Sequence, residues 1–141
     1  MTSLAATLIL QAAFLTSASS ASAMNYRDAY TAAQESNRPL LVVVGAEWCS
    51  ACVDLKNRTI EDMQRSGKLD GVILSYVDVD KEPEIARQLL SSSSIPQVIV
   101  FAKGDTGWTR KQLVGRQSQE TLSALIAPAV AVAKKAEPAS K

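Results

Sequence analysis

Two cysteines stand three positions apart in Trp48-Cys49-Ser50-Ala51-Cys52, and they are the only cysteines in the 141-residue chain. A zinc site needs about four ligands; with no histidine and no further cysteine, it would have to recruit carboxylates alone. Covalent haem attachment needs histidine directly after the second cysteine, whereas position 53 is Val. Thiol-disulfide exchange needs only a thiolate that attacks and a second thiol close enough to release the product. The pair suits that chemistry, and it is too close in sequence to staple distant parts of a fold. An inert pair of small buried side chains is the alternative that the residues alone leave open.

The flanking sequence positions the pair. Leu40-Leu41-Val42-Val43-Val44, bounded by Pro39 and Gly45, reads as a central strand buried on both faces. From Ser50 to about Ser66, the residues Cys52, Leu55, Thr59 and Met63 recur at helical spacing, and Ser66-Gly67 is the stop. The cysteines therefore fall between a strand and the first turn of a helix, where free amides and the positive end of the helix dipole favour a thiolate. Cys49, at the helix edge, is expected to be exposed and to attack. Cys52, one turn later on the inward face, is expected to resolve the mixed disulfide.

Before the first strand, Tyr26, Ala29, Tyr30 and Ala33 predict a short amphipathic helix that Asn37-Arg38-Pro39 ends. Val72 to Val79 reads as a second core strand, and Glu84 to Leu90 as a helix with Pro83 near its first position. Strand, helix, strand in this order implies a parallel pair. After the Ser91 to Ser94 loop and Ile95-Pro96, Val98 to Phe101 is a third strand. Gly104 to Gly107 then turns the chain into an antiparallel partner ending at Val114. Ser118, Glu120 and Thr121 open a last helix, expected to end near Pro128 and to leave 129–141 as a disordered Ala- and Lys-rich tail.

At 47% hydrophobic the chain has material for one core, and the domain is expected over 24–128. Basic and acidic residues nearly cancel, at 15 against 14, and no basic run alternates with aromatics, which argues against nucleic-acid binding. Leu4 to Leu15 is an apolar stretch of signal-peptide length, followed by Ala21-Ser22-Ala23. Residues 1–23 are therefore expected to be a signal peptide cleaved after Ala23, giving an exported, periplasmic or extracytoplasmic protein. A true start at Met24 would instead make it cytosolic.

Four landmarks in order carry a family resemblance: Ala46-Glu47-Trp48-Cys49, Val77-Asp78-Val79-Asp80, Ile95-Pro96 and Val114-Gly115. Over about Tyr26 to Ala127 the chain resembles thioredoxins and their exported relatives. The resemblance implies an α/β fold of thioredoxin type, with a central mixed β-sheet flanked by helices. It implies that Pro96 is a cis proline lying against the cysteine pair, with Ile95 pairing to an extended substrate segment and Trp48 forming part of the docking surface. It also implies protein thiols and disulfides as substrates, and an upstream electron donor of the membrane-reductase or thioredoxin-reductase type. No cofactor or metal is expected, and the chain is expected to be monomeric.

The chain departs from the family at two matched positions. Thioredoxins carry a buried Asp six residues before the first cysteine and a Lys on the neighbouring strand, and here these are Val43 and Tyr76. Losing both together fits the high cost of a buried ion left alone. Between the cysteines, Ser50-Ala51 lacks the His of the periplasmic oxidases, which favours a reductase or isomerase over an oxidase. A thioredoxin-fold peptide-binding module with incidental cysteines is the alternative.

Overall fold

The computed structural model describes residues 22–136, so the expected signal peptide lies outside the described residues except for Ser22 and Ala23. Helix α1 spans Tyr26–Ser36. The Asn25 side chain caps it by accepting from the Asp28 N–H at 3.0 Å. Asn37, in the left-handed region at φ 55°, ends it before Pro39. Strand β1, Leu40–Gly45, is buried along its whole length, as a continuous aliphatic run demands.

The expected helix from Ser50 to about Ser66 forms as three contiguous pieces: α2, Ser50–Asp54; a π-helical segment, Leu55–Ile60; and α3, Glu61–Arg65. The Glu61 N–H reaches back to the Lys56 carbonyl, a five-residue step that widens the helix locally. That widening corrects the expected inward face. Leu55, Ile60 and Met63 are fully buried, while Thr59, placed inward by a period of 3.6, is only half-buried.

Strand β2, Ile73–Asp78, leads to α4, Pro83–Leu89, with Pro83 at its start. Strands β3, Gln97–Gly104, and β4, Gly107–Val114, form the expected hairpin. The sheet order is β2-β1-β3-β4, with β1 parallel to β2 and antiparallel to β3. Leu41 and Val43 of β1 join Leu55, Ile60, Met63 and Leu122 on one face of the sheet. Leu40, Val42 and Val44 join Ala29, Ala33, Ala86 and Leu89 on the other. Alternate residues of one strand thus feed two cores, covered by different helices.

The last helix, α5, spans Gln119–Ala136 and runs straight past Pro128, which corrects both the expected end at Pro128 and the disordered tail as far as Ala136. Proline leaves the carbonyl four residues back, at Ala124, without its helical donor. Leu125, Ala129 and Val130, on either side of the break, pack against the sheet core, and their burial outweighs the lost bond.

Candidate redox site

The register of the sheet gathers the site. Gly45 ends β1 opposite Asp78 of β2, and Val44 lies opposite Gln97 of β3. The loop carrying Trp48 and Cys49 therefore leaves the same end of the sheet at which Ile95-Pro96 enters β3. Cys49 and Cys52 are joined as a disulfide, with their Cα atoms 5.2 Å apart. Cys49 is the N-cap of α2, and its sulfur accepts from the Cys52 backbone N–H at 3.2 Å. Cys49 is half-buried, whereas Cys52 is only 5% exposed. Cys49 is the more exposed of the two, the order that the helical spacing predicts, although it is half-buried rather than fully exposed.

Gly45, which marks only a strand end in the sequence, proves to be a site residue. A Cβ added there would lie 2.9 Å from the Cys52 Cβ and 3.0 Å from its Sγ, closer than packed carbons come. Glycine lets the strand end and the enclosed cysteine touch. Nothing local in the sequence announces that contact.

Val43 and Tyr76, the positions of the family's charged pair, are register partners across β1 and β2. Together with Cys52, Gly45, Glu47 and Lys81 they line a cavity of about 360 Å³. Val43 is 3% exposed. Burial and, secondarily, the Glu61 carboxylate push the Tyr76 phenol up to about 12, so it is neutral at any ordinary pH. The Lys56 ammonium lies 4.7 Å from its ring centroid. At the rim, Glu47 is ion-paired with Lys81, and that hydrogen bond, with the Glu47 charge behind it, raises the Lys81 pKa.

Trp48 is 71% exposed, and its indole N–H donates to Asp80 Oδ2 at 2.7 Å. Asp80 is in turn placed by a turn in which Asp78 Oδ1 accepts from the Asp80 and Lys81 N–H groups. The Ile95-Pro96 peptide is cis. Pro96 is buried, and its carbonyl accepts from the Gly115 N–H at 2.7 Å. The next residue, Arg116, pairs with Asp54 of α2 at 3.1 Å, so the cis-proline segment is tied back to the cysteine helix through only two contacts.

A reachable sulfur paired with an enclosed one, at the head of a helix on this sheet, is the equipment of a disulfide oxidoreductase. The comparisons with known proteins agree. A family model described as thioredoxin-like matches residues 21–103, and the chain belongs to that family. It is 34% identical over 93 residues to the thioredoxin of Alicyclobacillus acidocaldarius, covering 66% of this chain and 83% of that one. It is 27% identical over 109 residues to the thiol:disulfide interchange protein DsbD of Ralstonia nicotianae, covering 76% of this chain but 18% of that much longer protein. The solution structure of a thioredoxin from Thermus thermophilus superposes with a TM-score of 0.64 at 20% identity, covering 77% and 86% of the two chains, which shows the shared fold.

Proposed function

We propose that the protein reduces or isomerises disulfides in other proteins, with Cys49 as the attacking thiolate and Cys52 as the resolving thiol. The observation that carries this reading is the asymmetry of the pair: the accessible Cys49 sulfur caps the helix and takes the Cys52 amide at 3.2 Å, while Cys52 is enclosed. In the reduced protein the same amide and the helix dipole favour a Cys49 thiolate. That thiolate attacks one sulfur of a substrate disulfide, forming a mixed disulfide and releasing the other substrate sulfur as a thiolate that takes up a proton. Cys52, losing its proton, then attacks Cys49, which frees the substrate's second sulfur and leaves the intramolecular disulfide seen here.

The substrate segment lies extended along Ile95-Pro96, whose backbone makes no hydrogen bond through Ile95 among the described residues. Its unpaired groups suit strand-like pairing. Exposed Trp48 supplies the apolar platform on the other side. Reductase or isomerase action is favoured over oxidation because Ser50-Ala51 supplies no cationic group to stabilise the reduced form. The upstream donor is then a thiol-disulfide protein of the membrane-reductase or thioredoxin-reductase type. The Leu4–Leu15 stretch and Ala21-Ser22-Ala23 support work outside the cytoplasm, which N-terminal sequencing of the mature protein checks.

The test is a Cys52→Ser variant. It is expected to accumulate mixed disulfides through Cys49 that mass spectrometry identifies, while the wild-type protein reduces insulin. No trapped partner together with no insulin reduction overturns the reading.

A further inference from the structure

The Ser91 to Ser94 loop that delivers the chain to the cis proline is exposed throughout, and four serines offer no apolar anchor. Its order comes from one buried amide. Gln97, the residue after Pro96, is 0% exposed, and among the described residues Ser75 is the only other fully buried polar side chain at 0%. The Gln97 carbonyl oxygen accepts from the Ser91 N–H and the Ser91 hydroxyl, each at 3.1 Å. Its amide nitrogen reaches the Ser94 carbonyl at 2.7 Å, the Ser92 carbonyl at 3.1 Å and the Ser92 hydroxyl at 3.2 Å. From β4, the Gln112 amide donates to the same Gln97 oxygen and to the Leu89 carbonyl at the end of α4, the latter at 3.1 Å.

Gln97 is itself held at the start of an inner strand of the sheet, opposite Val44 on one side and Val114 on the other. A rigid strand thus projects one polar side chain into the loop and fixes both of its ends. A glutamine has two donors and one acceptor oxygen, and here both kinds are engaged. Neither a hydrophobic residue nor a carboxylate of the same shape could hold acceptors and donors together.

We propose that Gln97 is the positioning residue of the substrate-docking loop, setting the Ser91–Ile95 backbone so that Ile95 is presented for pairing with a protein substrate. The inference rests on the reductase reading above. Among the described residues no hydrogen bond joins Gln97 to either cysteine, so it acts on docking and leaves the exchange chemistry alone. Binding that depends on a preformed backbone edge loses affinity when the edge must be ordered on arrival.

The experiment compares reduced wild type with Gln97→Glu, which keeps the shape and the acceptors but loses the donors, and with Gln112→Leu, which leaves Gln97 in place but removes the link to β4 and α4 together with the Gln112 oxygen that accepts from Arg110. Two substrates are used: insulin, with dithiothreitol re-reducing the protein between turnovers, and the small aromatic disulfide dithiobis(nitrobenzoate), which needs no docking edge and is followed as a single turnover of the pre-reduced protein without added dithiol. For Gln97→Glu, KM for insulin is expected to rise about tenfold, or about 1.4 kcal/mol. Its kcat, and the rate with the small disulfide, are expected to stay within about twofold of wild type. Gln112→Leu shifts KM in the same direction by less. Amide hydrogen exchange over residues 91–95 is expected to quicken in Gln97→Glu while β1 stays protected.

An unchanged insulin KM, equal losses on both substrates, or unaltered loop exchange in both variants overturns the proposal. A wild type inactive on both substrates refutes the reductase reading instead, and the exchange measurement still decides whether Gln97 orders the loop.

Discussion

The two strands that flank β1 meet its carboxyl end in opposite ways. On the β2 side, Val43 faces Tyr76, and the space beside Cys52 is an uncharged floor under a charged rim. On the β3 side, Gln97 is 0% exposed and surrounded by hydrogen-bond partners. Buried polarity here therefore fixes backbone geometry on the Ile95-Pro96 side and is withheld from the thiol side. A proton leaving Cys52 has no buried carboxylate at position 43 to receive it, and the cavity beside it opens towards Glu47 and Lys81.

Putting charge back on the thiol side tests the contrast most severely. Val43→Asp buries a carboxylate opposite a neutral phenol, and an unpaired buried charge costs about 3–5 kcal/mol. Burial lifts the folded-state pKa of the new carboxyl above its unfolded value of about 3.9. The penalty is therefore small at pH 4, grows as pH rises through that value, and levels off above the folded-state pKa. Urea unfolding at pH 4 and pH 8 measures it; equal stability to wild type at both would mean that the cavity solvates the charge and the floor is not apolar in effect.

Gly45→Ala probes where the thiol side is tightest, between β1 and Cys52. Its methyl would have to displace Cys52 or bend the strand end, and overpacking of this kind costs about 1–3 kcal/mol. An unchanged denaturation midpoint of the oxidised protein would show that the contact yields freely. The smallest effect belongs to Tyr76→Phe. Because burial pushes the folded-state phenol up to about 12 from the ordinary value of 10.0, its contribution to stability is complete below pH 10 and is lost as pH rises towards 12. The variant is expected to remove that alkaline decline and to match wild type at pH 7; an identical decline in both proteins would break the assignment.

Much of this was legible in the amino-acid order. The cysteine spacing and the aliphatic run before it involve neighbours in sequence, so the strand-to-helix setting of the pair follows from residue types a few positions apart, whereas the cis geometry of Ile95-Pro96 comes from the family resemblance. The pairing of Val43 with Tyr76 was also readable, by matching landmarks to a family. Periodicity misplaced the inward face at Thr59 because a π-helical step there brings Ile60 inward in its place, while Met63 is buried as expected. It also ended α5 too early, because the local cost of Pro128 is visible in sequence and the offsetting packing of Ala129 and Val130 is not. The roles of Gly45, Asp80 and Gln97 lie wholly beyond such reading. Each depends on a partner in a different element, seven residues away for Cys52 and 32 for Trp48, or on a loop folded back over its own strand.

The sequence by itself determined that Cys49 and Cys52 stand at the head of a helix, at a spacing that suits thiol-disulfide exchange, since spacing and flanking patterns suffice for that. Only the tertiary structure decided how the pair is framed, with a cavity of uncharged floor and charged rim on one side and a hydrogen-bonded loop on the other. Contacts between strands exist only once the register of the sheet is set, and that register is a property of the whole core.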